Sequence, residues 1–254
     1  MFPIIHLGPI SIQSEGLVLL IGLWLGLLIA GRLSSRFEIN EDLLERLVFF
    51  PLLAGIIGAR LVFVLKSIEI LIDSPLSIFS LNASMFDREG GLLFGFLILF
   101  IYAQRKKVDM WAALDALTPV ISVVLIALSI AFLASGKMYG RPTDLPWGIN
   151  LWGETRHPTQ IYQFFISTAI FIIVLELIKK PKENSSELIP GIIFLSFSAV
   201  NALGVIILDT FSGNPGIFIG SLSTGQTAGF GVLIACILII NKKFSNLEMI
   251  EHQS

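Results

Sequence analysis

The sequence predicts an all-α integral membrane protein of about seven transmembrane helices, and three observations predict it. Hydrophobic residues make up 54% of the 254-residue chain, charged residues only 14%, and the mean hydropathy is +0.84, far from the balance of a soluble domain. The apolar residues gather into seven runs, at 16–30, 47–65, 90–102, 114–134, 161–178, 190–208 and 224–240, most of them near the ~20 residues that cross a hydrocarbon core. The runs are solid rather than alternating: residues 164–178 are nearly all aliphatic or aromatic, whereas a membrane barrel needs a period of two. No polar stretch is long enough to fold separately, so a single polytopic domain over 1–254 is expected.

The first ten residues carry no basic stretch before the first run, and no small-residue cleavage site follows it, so the first helix is expected to be retained. Gly22 and Gly26 in that run, and Gly55, Gly58 and Ala59 in the second, have the spacing that lets helices approach closely. The third run is too short to span by itself before Arg105, Lys106 and Lys107 mark an interface. Counting about twenty residues outward from Tyr102 reaches Ala83, which would set Arg88 and Glu89 inside the membrane's outer half. Glu176, at the end of the fifth run, precedes Lys179 and Lys180 at pairing distance along a helix. Cys236 is the lone cysteine; it excludes an intrachain disulfide and a cysteine-cluster metal site, and reads as a small packing residue. Residues 241–254 read as a short tail.

Lys and Arg collect in cytoplasmic loops. One face carries Arg32, Arg36, Arg46, Arg105, Lys106, Lys107, Lys179, Lys180, Lys182, Lys242 and Lys243, and the other Lys66, Arg88, Lys137, Arg141 and Arg156. The eleven-to-five split puts the N-terminus outside and the C-terminus inside. The net charge is −2 and the basic residues form no stripe, which argues against nucleic acid as a partner.

Ionisable groups at membrane depth are functional candidates by default. Arg60 lies six residues before Lys66, roughly 9 Å along a helix. With Glu15, Arg88 and Glu89 it makes four charges at one depth. Either two structural ion pairs hold helices together there, or a polar cavity in the outer leaflet admits a charged headgroup. The outward loop, 135–160, carries Gly140-Arg141-Pro142-Thr143-Asp144-Leu145-Pro146-Trp147-Gly148. It continues into Arg156-His157-Pro158-Thr159-Gln160-Ile161-Tyr162. Arg141 and Arg156 offer forked donors to a phosphate or carboxylate, Trp147 and Tyr162 suit an interface, and His157 is the histidine placed to titrate near the cavity. For His157, proton transfer and a hydrogen bond that pins the loop both stand. His6 and His252 belong to the termini and are expected to be solvated.

This loop, with Leu7-Gly8-Pro9, Gly58-Ala59-Arg60-Leu61, Gly90-Gly91-Leu92 and Gly225-Gln226 in the same order, resembles the prolipoprotein diacylglyceryl transferase family. The resemblance implies a transferase of the bacterial plasma membrane that moves a diacylglyceryl group from phosphatidylglycerol to a prolipoprotein cysteine. Its partners would be that phospholipid and the prolipoprotein signal peptide, and no cofactor or metal is called for. Such chemistry needs a base for the thiol and cationic donors for the departing phosphate. The sequence departs from the family pattern at the positions that should supply them. Glu89 stands for a histidine, Glu15 for a tyrosine, and Ser129, Phe132, Ser135 and Lys137 for an arginine, two asparagines and a glutamate. Leu208 stands for an arginine and Val205 for its acidic partner. The resulting site has Glu89 and His157 as catalytic candidates and Arg60, Arg141, Arg156, Gln160 and Tyr162 as headgroup ligands. A non-catalytic lipid- or lipoprotein-binding scaffold is the alternative, and an altered reaction or small-solute transport the third.

Overall fold

The computed structural model of the chain describes residues 4–7, 10–69, 85–179, 189–214 and 216–251. Gly8, Pro9, Ala83, Lys180, Lys182 and His252, which figured in the sequence analysis, lie outside the described residues. The fold is mostly helical, and six helices are long and apolar enough to cross a membrane. Among the described residues there are seven α-helices: α1 (Ser14–Leu33), α2 (Glu41–Lys66), α3 (Arg88–Arg105), α4 (Met110–Ser135), α5 (Thr159–Lys179), α6 (Ile192–Asp209) and α7 (Thr224–Glu251). The one outside the six is α3, which carries Arg88, Glu89 and Arg105 within its 18 residues. A 3-10 turn (Ser34–Phe37) follows α1, and there are three two-stranded antiparallel hairpins among the described residues: β1 (Ile4–Leu7) with β2 (Ile10–Gln13), β3 (Ile149–Leu151) with β4 (Glu154–Arg156), and β5 (Phe218–Ile219) with β6 (Leu222–Ser223).

The distribution of side chains is inverted relative to a water-soluble protein. Leu20, Trp24, Ile57, Leu92, Phe165 and Leu238 face outward, while Gly22, Gly26, Thr118, Ser122 and Ser129 are buried. Lipid tails solvate leucine as well as a protein core does, so helices in a bilayer gain by bringing small residues together and turning polar groups inward. Cys236 is buried, as a small packing residue should be.

The chain forms two compact units, residues 31–117 and residues 1–30 with 118–254. In the first, α2 and α3 pack along their small residues. A Cβ on Gly55 would stand 3.1 Å from the Gly91 carbonyl oxygen, and one on Gly58 would overlap the Phe94 side chain. Helix starts are capped by sequence-local carboxamide and carboxylate groups: Leu43 N–H donates to Asn40 Oδ1 at 2.8 Å and Gly90 N–H to Asp87 Oδ1 at 2.7 Å. The Asp87 cap corrects the expected start of the third span. The helix begins at Arg88, so Arg88 and Glu89 form its first turn instead of lying well inside a longer helix that reaches 83.

In the second unit, Gly22 lies against Ala127 and Gly26 against Val120, bringing α1 close to α4. The loop between α4 and α5 is short strand rather than coil. Trp152 and Gly153 both have positive φ (58° and 83°), the two-residue turn whose twist suits a tight hairpin, and they join β3 to β4. Helix α7 runs past 241 to Glu251, so the expected tail is helical there.

Candidate functional site

The best-matched loop is built as a three-stranded ribbon around residues 139–143. On one side Arg141 N–H donates to Phe211 O (2.8 Å) and Gly213 N–H to Tyr139 O (2.9 Å); on the other His157 N–H donates to Arg141 O (3.0 Å) and Thr143 N–H to Thr155 O (2.9 Å). Thr159 Oγ1 donates to Met138 O, and Gln160 Nε2 to Lys137 O at 2.7 Å, which ties the start of α5 to the end of the loop from α4. Gln160 is fully buried, and its Oε1 has no hydrogen-bond partner among the described residues.

The two loop arginines have different duties. Arg156 spends Nη1 on Gly140 O (3.2 Å) and Nη2 on Glu154, with its guanidinium 5.0 Å from the Tyr139 ring centroid. Arg141 spends Nε on Ser212 O (3.1 Å), and its two terminal nitrogens have no partner among the described residues. Trp147 Nε1 donates to Tyr162 Oη at 2.8 Å, and Tyr162 Oη lies 3.3 Å from His157 Nδ1.

Two cavities flank α5 in this unit. Between α5 and α6 lies one of about 110 Å³, lined by Met138, Thr159, Gln163, Leu208, Asp209 and Val205 together with Ser212. Between α4 and α5 lies a larger, apolar one of about 400 Å³, whose wall includes Ser129, Leu133, Gln160 and Phe164.

Arg60 and Glu89 belong to the other unit. Arg60 Nη1 donates to Met85 O at 2.9 Å, and its guanidinium stands 5.2 Å from the Phe86 ring centroid. Glu89 lies 3.8 Å from Lys66 with its side chain 82% exposed. Among the described residues, the two carboxylates of that expected group, Glu89 and Glu15, each meet a lysine. Lys66 takes Asp87 (2.7 Å) and then Glu89, while Glu15 takes Lys137 at 2.6 Å. Both cations are flexible lysines near helix ends, which reach carboxylates more readily than guanidinium groups already held by carbonyls and rings. Glu176 pairs with Lys179 at 3.8 Å, as its spacing predicts.

Sequence reasoning passed over Asp209. It accepts a hydrogen bond from Ser223 and lines the smaller cavity four residues after Val205, so a carboxylate does stand in this wall one turn from where it was sought. Its signal in the sequence was an acidic residue closing an otherwise uncharged apolar run. Glu154, the partner of Arg156, was missed because only the hairpin's register shows the pairing.

The Glu15–Lys137 pair yields a direct test. Lys137→Glu should set two carboxylates together and lower stability by about 1 kcal/mol, and adding Glu15→Lys should restore it. Thermal unfolding of the single and double variants in detergent reads this out, and an uncoupled result would remove the pair from the fold's stability.

Residues 3–241 match the family model described as prolipoprotein diacylglyceryl transferase. The chain is 30% identical over 247 residues to a phosphatidylglycerol–prolipoprotein diacylglyceryl transferase of Cupriavidus metallidurans, covering 92% of this chain and 88% of that one. It is similar to proteins of the same description from Vibrio parahaemolyticus (25% over 244 residues, 93% and 88% covered) and Bordetella parapertussis (26% over 242 residues, 92% and 90% covered).

Proposed function

The chain belongs to the prolipoprotein diacylglyceryl transferase family, and we propose that it moves a diacylglyceryl group from phosphatidylglycerol to the cysteine of a prolipoprotein. It does so as one polytopic domain in the bacterial plasma membrane. Helix α3 is the seventh span, about 27 Å long for 18 residues, with the N-terminus outside and the C-terminus inside.

The observation that carries this reading at the site is Arg141, whose two terminal nitrogens are uncommitted among the described residues, while both terminal nitrogens of Arg156 are spent within the ribbon. A forked guanidinium is the donor that a phosphate group fits. Arg156 and Gln160 hold the ribbon and α5 in place around it. A base takes the thiol proton, the thiolate attacks the glyceryl carbon, and the phosphate leaves with the electrons of the broken C–O bond.

A specific observation favours the scaffold reading as the alternative. Lys137, at the place of an expected glutamate, has its ammonium committed to Glu15, and Val205 and Leu208 line the cavity where charged residues were expected. Purified protein, phosphatidylglycerol and a lipobox peptide, followed by mass spectrometry, separate the two. A diacylglyceryl mass increment on the peptide is expected. Lipid binding without that increment, with an ordinary family member active alongside, would replace the transferase with the scaffold. Complementation of a transferase-depleted bacterium is the cellular form of the same test.

A further inference from the structure

We propose that the β5–β6 hairpin is a membrane anchor whose apolar side chains enter the outer leaflet, at the boundary between hydrocarbon and headgroups, and hold the neighbouring ribbon at that level. It rests on α6 and α7 crossing the bilayer and is independent of the transfer reaction.

The hairpin carries large apolar side chains that the protein leaves uncovered. Ile217, Phe218 and Leu222 are 78%, 53% and 38% exposed. No charged residue stands between Asp209 and Lys242, so no charge in this stretch draws the hairpin into water. Its base is fixed, which keeps it from folding over to cover those side chains. Thr224 donates to Ile217 O through both its N–H (2.8 Å) and its hydroxyl (2.7 Å), and the Ser223 hydroxyl donates to Asp209. Ser223 and Gln226 close a capping box on α7, with Ser223 N–H donating to Gln226 Oε1 (3.2 Å) and Gln226 N–H to Ser223 Oγ (3.1 Å).

Helix length sets the depth. Lys243 Nζ donates to Pro190 O at 2.7 Å, which puts the inner end of α6 level with Lys243 on α7. From Lys243 back to Thr224 the helix rises about 29 Å at 1.5 Å per residue, close to the ~30 Å of a hydrocarbon core. With Lys242 and Lys243 at the inner edge, Thr224 reaches the outer edge. Helix α6 covers about 27 Å with its 18 residues and ends at Asp209, at a matching level. Both ends of the loop therefore lie at the boundary.

A hairpin can stay at that depth because β5 and β6 pair their backbone groups and the base bonds others, while headgroups and water serve the rest. The flanking spans also turn apolar side chains outward, Leu203 and Ile207 on α6 and Phe230 on α7, so lipid surrounds the hairpin's base. The anchor fixes the height of the ribbon, because Phe211 O receives the Arg141 N–H and Gly213 N–H donates to Tyr139 O just before the hairpin begins.

Spin labelling of the full-length protein in vesicles of phosphatidylglycerol and phosphatidylcholine tests the anchor. Cys236→Ala removes the native thiol, and labels are placed one at a time through Phe218→Cys, Ile234→Cys in the middle of α7, and Asp144→Cys on the exposed outward loop. Each label's collisions with oxygen, which concentrates in hydrocarbon, are compared with its collisions with a water-soluble nickel chelate. The oxygen-to-nickel ratio at 218 should exceed that at 144 severalfold and fall below that at 234. Ile217→Glu should bring the ratio at 218 down to that at 144 and leave the ratio at 234 unchanged, which also shows the variant folded in the bilayer.

A ratio at 218 equal to that at 144, or one that Ile217→Glu does not move, would overturn the proposal. So would a label at 218 that meets neither reagent, since protein, a second copy of the chain included, would then cover the hairpin. Absent transfer to a lipobox peptide, with the label at lipid depth, would overturn the proposed reaction alone.

Discussion

Gly140→Val is expected to lower the stability of the protein by about 3 kcal/mol or more and to abolish phospholipid binding. A Cβ at Gly140 would stand 2.6 Å from His157 Cβ and 3.0 Å from the His157 carbonyl carbon, and closer still to its oxygen. Those are largely backbone atoms of the neighbouring strand, so no side-chain rotation relieves the overlap. The strand must move, and with it go the His157 N–H bond to Arg141 O and the carbonyl of Gly140 that receives Arg156. Gly16→Ala is the control, since nothing lies within 4 Å of a Cβ there and alanine suits a helix. Thermal unfolding in detergent should separate the two variants clearly. Equal midpoints would mean that the ribbon's close approach does not hold the site.

How much of this was legible in the sequence depended on whether the information was local. Six of the seven apolar runs lie within a helix and the other, 190–208, starts two residues before α6, because a bilayer requires a one-dimensional property, about twenty apolar residues with internal hydrogen bonding. The start of α3 was also local. Asp87, three residues before Gly90, is an ordinary N-cap signal, but counting residues for a full span overrode it. Charge partners were not local. Glu15 and Lys137 are 122 positions apart, and Lys66 meets Asp87 across 21, so neither pair could be read from depth along a single helix. The different fates of Arg141 and Arg156 were equally hidden, because they depend on ribbon register and not on residue type. Within the candidate site, the loop that carries the family resemblance was legible, and the assignment of work inside it was not.

Arg156→Ala and Arg141→Ala should therefore fail in opposite ways. The Arg156 side chain is 17% exposed, its Nη groups are spent on Gly140 O and Glu154, and its face covers the Tyr139 ring. Removing it leaves a carbonyl and a carboxylate without their donor and uncovers an aromatic face, a loss of about 2–3 kcal/mol. Arg156→Lys should recover little, since an ammonium cannot serve both acceptors from one plane while lying on the ring. Arg141 lies on the exposed side, and its one bond to the protein is Nε to Ser212 O. Its loss should cost under about 1 kcal/mol of stability but weaken phosphatidylglycerol binding by about tenfold to a hundredfold, as expected for a charged donor pair to phosphate. Unfolding midpoints and lipid affinities for the three variants test both halves. If Arg141→Ala destabilises the fold while Arg156→Ala binds lipid weakly from an intact fold, the two arginines exchange roles and Arg156 becomes the phosphate ligand.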